Sequence, residues 1–319
     1  MQVTVDKNSG FCWGVVRAVN FAEAELASQA GNGEAARLYS LGDIIHNPVE
    51  VERLQNEGLT TIQHSDFERI AEANKTAAVK GKILIRAHGE PPSTWQRLRE
   101  LGLEVVDATC PVVAKVQERI YKFYEKNYQI VIFGKKDHAE VIGLRGVVND
   151  EAIVVLTVEE ALEKIKFDKP TVLFSQTTMD RPTFRAIRDA LKERIADLVV
   201  DTMEETAVEF QAKDTICGQV SGRENKLIEL SRSVDAVVFV AGRNSSNGKV
   251  LYHVALDANP HTYFIEDERE LDTAWFDGIE SVAVTGATST PQWLMQRVAD
   301  AIYKLCGEPE KAGLLPIFG

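Results

Sequence analysis

The sequence predicts an α/β protein made of three similar units with mostly parallel sheets, and three observations carry that reading. Short apolar runs rich in β-branched residues alternate with segments of helical spacing along the whole chain, as strand–helix repeats do. Chemically versatile side chains fall in loops just after the apolar runs. Three cysteines, Cys12, Cys110 and Cys217, stand 98 and 107 residues apart, one near the start of each third of the chain. Thiols so evenly dispersed suggest three units meeting at a common centre.

Taken in order, the strand-like Val3-Thr4-Val5 precedes Cys12, which opens a helical run from Trp13 to Val19. Leu38 to Leu41 precedes the loop that holds His46, after which Val49 to Gly58 has helical spacing and a terminating glycine. Ile83 to Ala87 leads to His88-Gly89, and Pro91 to Leu101 reads as a helix. Val105-Val106 feeds Asp107-Ala108-Thr109-Cys110-Pro111, where the proline suits a first helical turn. Cys110 is thus expected at a helix start, a position that lowers a thiol's pKa. In the middle third, Ile130 to Phe133 precedes the loop with His138 and Glu140, and Thr171 to Phe174 precedes Ser175-Gln176-Thr177-Thr178. The last third repeats the plan, with Ala236 to Val240 before Gly242 to Gly248 and Val282 to Thr285 before Gly286 to Pro291. Ala71 to Gly81 is merely polar, and the tail after Cys306 reads as irregular. The expected division is 1–110 with the N-terminal strand and Cys12, 111–216, 217–305, and a tail at 306–319.

With 319 residues, 45% of them hydrophobic and 26% charged, the chain is long enough for two or three cores. A net charge of -12 argues against a general binder of nucleic acid or anionic membrane. There is no 18-residue apolar run and no charged n-region followed by an apolar h-region, so neither a membrane span nor a secretion signal is read and a cytoplasmic setting is expected. Four cysteines without a tight pair do not resemble a disulfide framework.

In open parallel sheets ligands collect at the carboxyl ends of strands, so His46, His88, His138, Glu140, Thr177, Ser245, Ser246, Asn247 and Ser289 could converge. Each feature also has a plainer reading. A buried cysteine can be a small hydrophobe, and Cys306 reads as a packing residue in the last turn of an amphipathic helix. His138 and Glu140 suit proton handling or a satisfied surface pair. Gly242 to Lys249 fails the phosphate-loop pattern, because five residues separate Gly242 from Gly248 and Val250 follows the lysine. What remains can be an N-cap or a phosphate-binding turn. Zinc sites usually bring two ligands close in sequence, which is absent here. An iron–sulfur cube held by three cysteines would keep one iron open.

Gly10-Phe11-Cys12-Trp13, Ile45-His46-Asn47, Ala87-His88-Gly89, Asp107-Ala108-Thr109-Cys110-Pro111, His138-Ala139-Glu140, Ser175-Gln176-Thr177-Thr178, Asp214-Thr215-Ile216-Cys217 and Asn244-Ser245-Ser246-Asn247 stand in a fixed order. In that order, from residue 2 to about residue 305, the chain resembles the 4-hydroxy-3-methylbut-2-enyl diphosphate reductase family. The resemblance implies a cloverleaf of α/β units around a central [4Fe-4S] cluster and the terminal reductive step of the non-mevalonate isoprenoid pathway. It implies that Cys12, Cys110 and Cys217 ligate the cluster, whose fourth iron takes the allylic oxygen of the substrate. His46, His88, His138, Ser245, Ser246, Asn247 and Ser289 would hold the diphosphate, Glu140 would deliver protons, and Thr177 would position the hydroxyl group. Ferredoxin or flavodoxin would donate the electrons, with no nucleic-acid or membrane partner. Trp13, Ala139 and the Thr285-Gly286-Ala287-Thr288-Ser289 run depart from the family pattern. Two readings from other classes compete: an iron–sulfur sensor without catalysis, and a phosphate-binding α/β protein with structural cysteines.

Overall fold

The computed structural model describes residues 1–30, 37–77, 79–202 and 209–306. The tail expected to be irregular therefore lies outside the described residues, apart from Cys306. The chain opens with β1 (Gln2–Val5) and α1 (Trp13–Ala30). It continues through β2 (Leu38–Leu41), α2 (Pro48–Asn56), β3 (Leu59–Ile62), α3 (Phe67–Asn74), β4 (Lys82–Ile85), α4 (Pro92–Glu100), β5 (Glu104–Asp107) and α5 (Pro111–Tyr124). A second series runs β6 (Gln129–Phe133), α6 (Ala139–Gly146), β7 (Ile153–Val155), α7 (Val158–Lys164), β8 (Thr171–Ser175), α8 (Arg181–Thr202) and β9 (Phe210–Ala212). A third runs α9 (Gly218–Ser221), α10 (Glu224–Arg232), β10 (Ala236–Val240), α11 (Ser246–Ala258), β11 (Thr262–Ile265), β12 (Ser281–Gly286) and α12 (Gln292–Leu305).

These strands form three four-stranded sheets, ordered β3-β2-β4-β5, β7-β6-β8-β9 and β1-β12-β10-β11. Every pairing is parallel, as in Ile132↔Phe174 and Val238↔Val284. The inner strands are buried on both faces: β8 and β10 have no residue above the buried class, and β6 is buried at all but its first position. Continuous Val, Ile, Leu and Phe runs suit that position, since helices cover both faces of a parallel sheet. Each fully buried side chain of this size contributes about 2 kcal/mol of transfer free energy.

Within each sheet the strands follow one plan. Numbered by role, the order is second, first, third, fourth; β2 to β5 fill those roles in one sheet and β6 to β9 in another. In the remaining sheet β10, β11 and β12 supply the first three, and β1, from the other end of the chain, supplies the fourth through Val3↔Val282 and Val5↔Val284. The grouping of the N-terminal strand and Cys12 with residues up to 110 is therefore corrected. The ladder of β1 lies with the last third, because the open edge of β12 offers it a parallel partner.

The chain divides into two compact units. One contains Met1–Cys12, Ile45–Glu52 and the described residues from Gly222 onward; the other contains Trp13–Ile44 and Arg53–Ser221. The first holds the β1-β12-β10-β11 sheet and the second holds the other two. No helix among the described residues is long and apolar enough to cross a membrane.

Candidate active site

The shared strand plan places the candidate residues in matching loops. His46, His138 and Ser245 each stand five residues past the end of a first-role strand, β2, β6 and β10. His88, Thr177 and Ser289 follow the third-role strands β4, β8 and β12. Cys110, Cys217 and Cys12 follow the fourth-role strands β5, β9 and β1. All three loop sets lie at carboxyl ends of parallel strands, where α/β sheets bind ligands.

In the unit containing Trp13–Ile44 and Arg53–Ser221, the candidate residues include a buried carboxyl group. Glu140 is 1% exposed at the first turn of α6. The Thr177 N–H donates to its Oε1 at 2.7 Å and the Thr177 hydroxyl to its Oε2 at 2.8 Å. Burial raises the carboxyl pKa to about 7, against the pull of the two Thr177 hydrogen bonds. His138 caps α6, its Nδ1 accepting the Glu140 N–H at 3.2 Å, which leaves Nε2 as the ring's N–H donor. The rings of His88 and His138 meet edge to face with centroids 5.3 Å apart. Gln176, fully buried, anchors the neighbouring loop: its Oε1 accepts from Lys135 N–H at 3.1 Å and its Nε2 donates to the Thr178 hydroxyl at 2.7 Å.

In the other unit, Ser245 caps α11, its hydroxyl oxygen accepting the Gly248 N–H at 2.9 Å. Of the two readings of this turn, the N-cap is thus present, and it leaves a helix N-terminus flanked by buried Ser246 and Asn247. The Ser289 hydroxyl lies 3.3 Å from both the Ser245 hydroxyl and the His46 carbonyl oxygen. A methyl group on Gly242 would collide with that same carbonyl, so only glycine lets the β10 loop pass His46. Asn247 Oδ1 accepts from the Thr288 N–H at 2.9 Å and hydroxyl at 2.8 Å, and its Nδ2, although buried, has no partner among the described residues. An orphaned amide donor at a helix N-terminus can donate to an anion.

Asn47 carries the same signature and was passed over in the sequence. It is 1% exposed, its Oδ1 accepts the Glu50 N–H at 3.1 Å at the start of α2, and its Nδ2 has no partner among the described residues. An asparagine immediately before a proline-led helix is an ordinary N-cap signal, and its second amide function is invisible without burial.

The cysteines occupy comparable settings. Cys110 is the N-cap of α5 and its N–H donates to the Ala87 carbonyl at 3.0 Å; the Cys217 N–H donates to the Thr177 carbonyl at 2.8 Å; the Cys12 N–H donates to the Thr288 carbonyl at 3.1 Å. All three are half-buried thiols. Cys110 departs from expectation: burial pushes its pKa up, the Val112 and Val113 N–H groups only partly offset this, and the Cys217 and Glu140 charges raise it further. Desolvation and neighbouring anions thus outweigh the helix start. A cationic metal centre would reverse that balance, since thiolates are its ligands, and ligands scattered over three sheets suit a cluster better than a zinc finger. Cys306 is exposed at the end of α12, so its reading as a packing residue is corrected; the buried stripe of that helix is Leu294, Met295, Val298, Ala299 and Ile302. His64, His253 and His261 are exposed.

Three parallel sheets with loop-borne thiols, imidazoles, a neutralisable carboxyl and anion-ready helix starts define an α/β enzyme built for an anionic substrate. The profile of the LytB protein family matches residues 3–303, and the chain belongs to that family. Among curated relatives, the 4-hydroxy-3-methylbut-2-enyl diphosphate reductase of Chloroherpeton thalassium is 48% identical over 317 residues, covering 95% of this chain and 96% of that protein. The protein of the same name from Parabacteroides distasonis is 44% identical over 309 residues, covering 96% and 98%. A solved structure of (E)-4-hydroxy-3-methyl-but-2-enyl diphosphate reductase, described as the terminal enzyme of the non-mevalonate pathway, is 33% identical with a TM-score of 0.65, covering 95% of this chain and all of that one. The Plasmodium falciparum E-1-hydroxy-2-methyl-but-2-enyl-4-diphosphate reductase, 24% identical with a TM-score of 0.78 over 95% of this chain and 88% of its own, shares the fold.

Proposed function

We infer that this chain is an oxidoreductase that reductively dehydroxylates (E)-4-hydroxy-3-methylbut-2-enyl diphosphate to isopentenyl and dimethylallyl diphosphate, the terminal step of the non-mevalonate pathway. The single observation that carries the reading is Glu140, a fully buried carboxyl group held by Thr177 with its pKa near 7. Loss of a hydroxyl group needs a proton at the departing oxygen, and a carboxyl that is still protonated near neutral pH can give one.

Cys12, Cys110 and Cys217 would hold a [4Fe-4S] cluster, which when bound supplies electrons and a Lewis-acidic iron. The remaining roles belong to the chain. Thr177 fixes the carboxyl of Glu140 through both its oxygens and would orient the substrate hydroxyl group. The α11 start, with Ser245, Ser246, Asn247 and Ser289, is suited to the diphosphate, as are His46, His88 and the Nε2–H of His138. The unpartnered Nδ2 of Asn47 adds a donor of the same kind. Burial of Ser245, Ser246, Asn247 and Ser289 would strengthen each hydrogen bond they gave to the anion. A reducing cytoplasm would keep the cysteines as thiols.

The test is anaerobic turnover of the allylic diphosphate with reduced methyl viologen. Wild-type protein forms both products, and Glu140→Gln binds substrate but loses turnover by about two to four orders of magnitude. Equal turnover by the two proteins would remove Glu140 from the reaction.

A further inference from the structure

Large apolar side chains are exposed beside two of the proposed cluster ligands. Trp13 is 56% exposed and directly follows Cys12; Val16 is 37% exposed; Val112, two residues after Cys110, is 37% exposed. Arg17 fixes how α1 meets the loop before α5, its Nη1 donating to the Thr109 carbonyl at 2.9 Å and its Nη2 to the Asp107 carbonyl at 3.3 Å. Trp13, Val16 and Arg17 lie at i, i+3 and i+4, so the exposed pair shares the helix face that Arg17 turns toward this loop. On α5, Val112, Lys115 and Arg119 continue at i, i+3 and i+7, with Lys115 and Arg119 exposed. Among the described residues neither of these two cations enters a salt bridge; with Lys122, which pairs with Glu118, they place three positive charges around that one carboxylate. A chain of net charge -12 thus shows exposed apolar side chains beside a locally net-positive helix, the one that Cys110 caps.

We propose that Trp13, Val16, Val112, Lys115 and Arg119 form the docking surface for a small acidic one-electron carrier protein. The proposal rests on the reductase reading above and names the partner of that reaction. Two reduced carriers each give one electron; with two protons the allylic C–O bond is broken, a C–H bond forms and the oxygen leaves as water. Apolar contact at the centre and complementary charge at the rim suit a transient partner that must bind, deliver and leave.

The probe is a plant-type [2Fe-2S] ferredoxin, titrated calorimetrically in its oxidised form into wild-type protein, Trp13→Ala and the double variant Lys115→Glu/Arg119→Glu. At low salt each variant is expected to bind about tenfold more weakly, and wild-type affinity should fall with added salt while that of the double variant does not. Turnover driven by reduced methyl viologen should stay within about twofold in all three proteins, since surface substitutions of this kind leave folding nearly unchanged. Ferredoxin affinity that is equal in wild type and both variants, or absent in wild type, overturns the proposal. Should dye-driven turnover be missing from wild type while ferredoxin binding still depends on these residues, the reductase reading fails and the docking surface stands.

Discussion

Burial and hydrogen bonding pull the Glu140 carboxyl in opposite directions, and burial is the larger effect, leaving its pKa at about 7. Because the folded value lies above the ordinary carboxyl value of 4.5, the folded chain holds this proton more tightly than the unfolded one. The residue's contribution to stability is therefore full below pH 4.5 and is lost as pH rises toward 7, by on the order of 3 kcal/mol. Turnover that needs the protonated acid should likewise hold below about pH 7 and decline above it, and Glu140→Gln should lose that limb of the pH–rate profile. Asn47 allows a cleaner separation of roles. Aspartate keeps the acceptor that caps α2 but replaces the orphaned Nδ2 donor with an anionic oxygen. We predict that Asn47→Asp melts within a few degrees of wild type yet shows KM for the diphosphate raised at least about tenfold, as expected where a donor to an anion becomes a like charge. An unchanged KM would show that Asn47 serves the helix alone.

At the scale of elements, glycine positions carry the loop geometry. Gly242→Ala forces a methyl group onto the His46 carbonyl oxygen and should destabilise the protein by about 1–3 kcal/mol, read as a lower melting temperature, with weaker diphosphate binding as the loop shifts. What the sequence made legible follows burial. The six runs that read clearly as strands, beginning at Leu38, Ile83, Ile130, Thr171, Ala236 and Val282, are β2, β4, β6, β8, β10 and β12, the inner pair of every sheet. The strands that escaped, β3, β7, β9 and β11, are edges of three or four residues with mixed burial, such as Phe210–Ala212, where no position is fully buried. An edge strand covered on fewer sides needs no unbroken apolar run, so its composition resembles a loop's. The motif residues were visible because each either follows an inner strand or is a cysteine. The second role of Asn47 within its motif was not, because an unpaired amide is a property of packing, and the raised pKa of Cys110 likewise depends on what surrounds the helix start.

For the whole molecule, the repeated strand plan explains why the chemistry comes in threes. One loop after each first-role strand, one after each third-role strand and one cysteine after each fourth-role strand recur in all three sheets. The N-terminal residues are the exception that completes the set. Removing residues 2–5 should strip the edge of the β1-β12-β10-β11 sheet, lower the melting temperature and reduce iron content after anaerobic reconstitution, measured as iron per chain; full iron loading of the truncated protein would contradict the placement of Cys12. The pairing of Val3 with Val282 also fixes an order of events during synthesis. β1 is made long before the neighbour it pairs with, and domains fold as their residues emerge. The third sheet cannot gain its β1 edge until β12 has been made, so a metal centre that used Cys12 would form only after both strands exist.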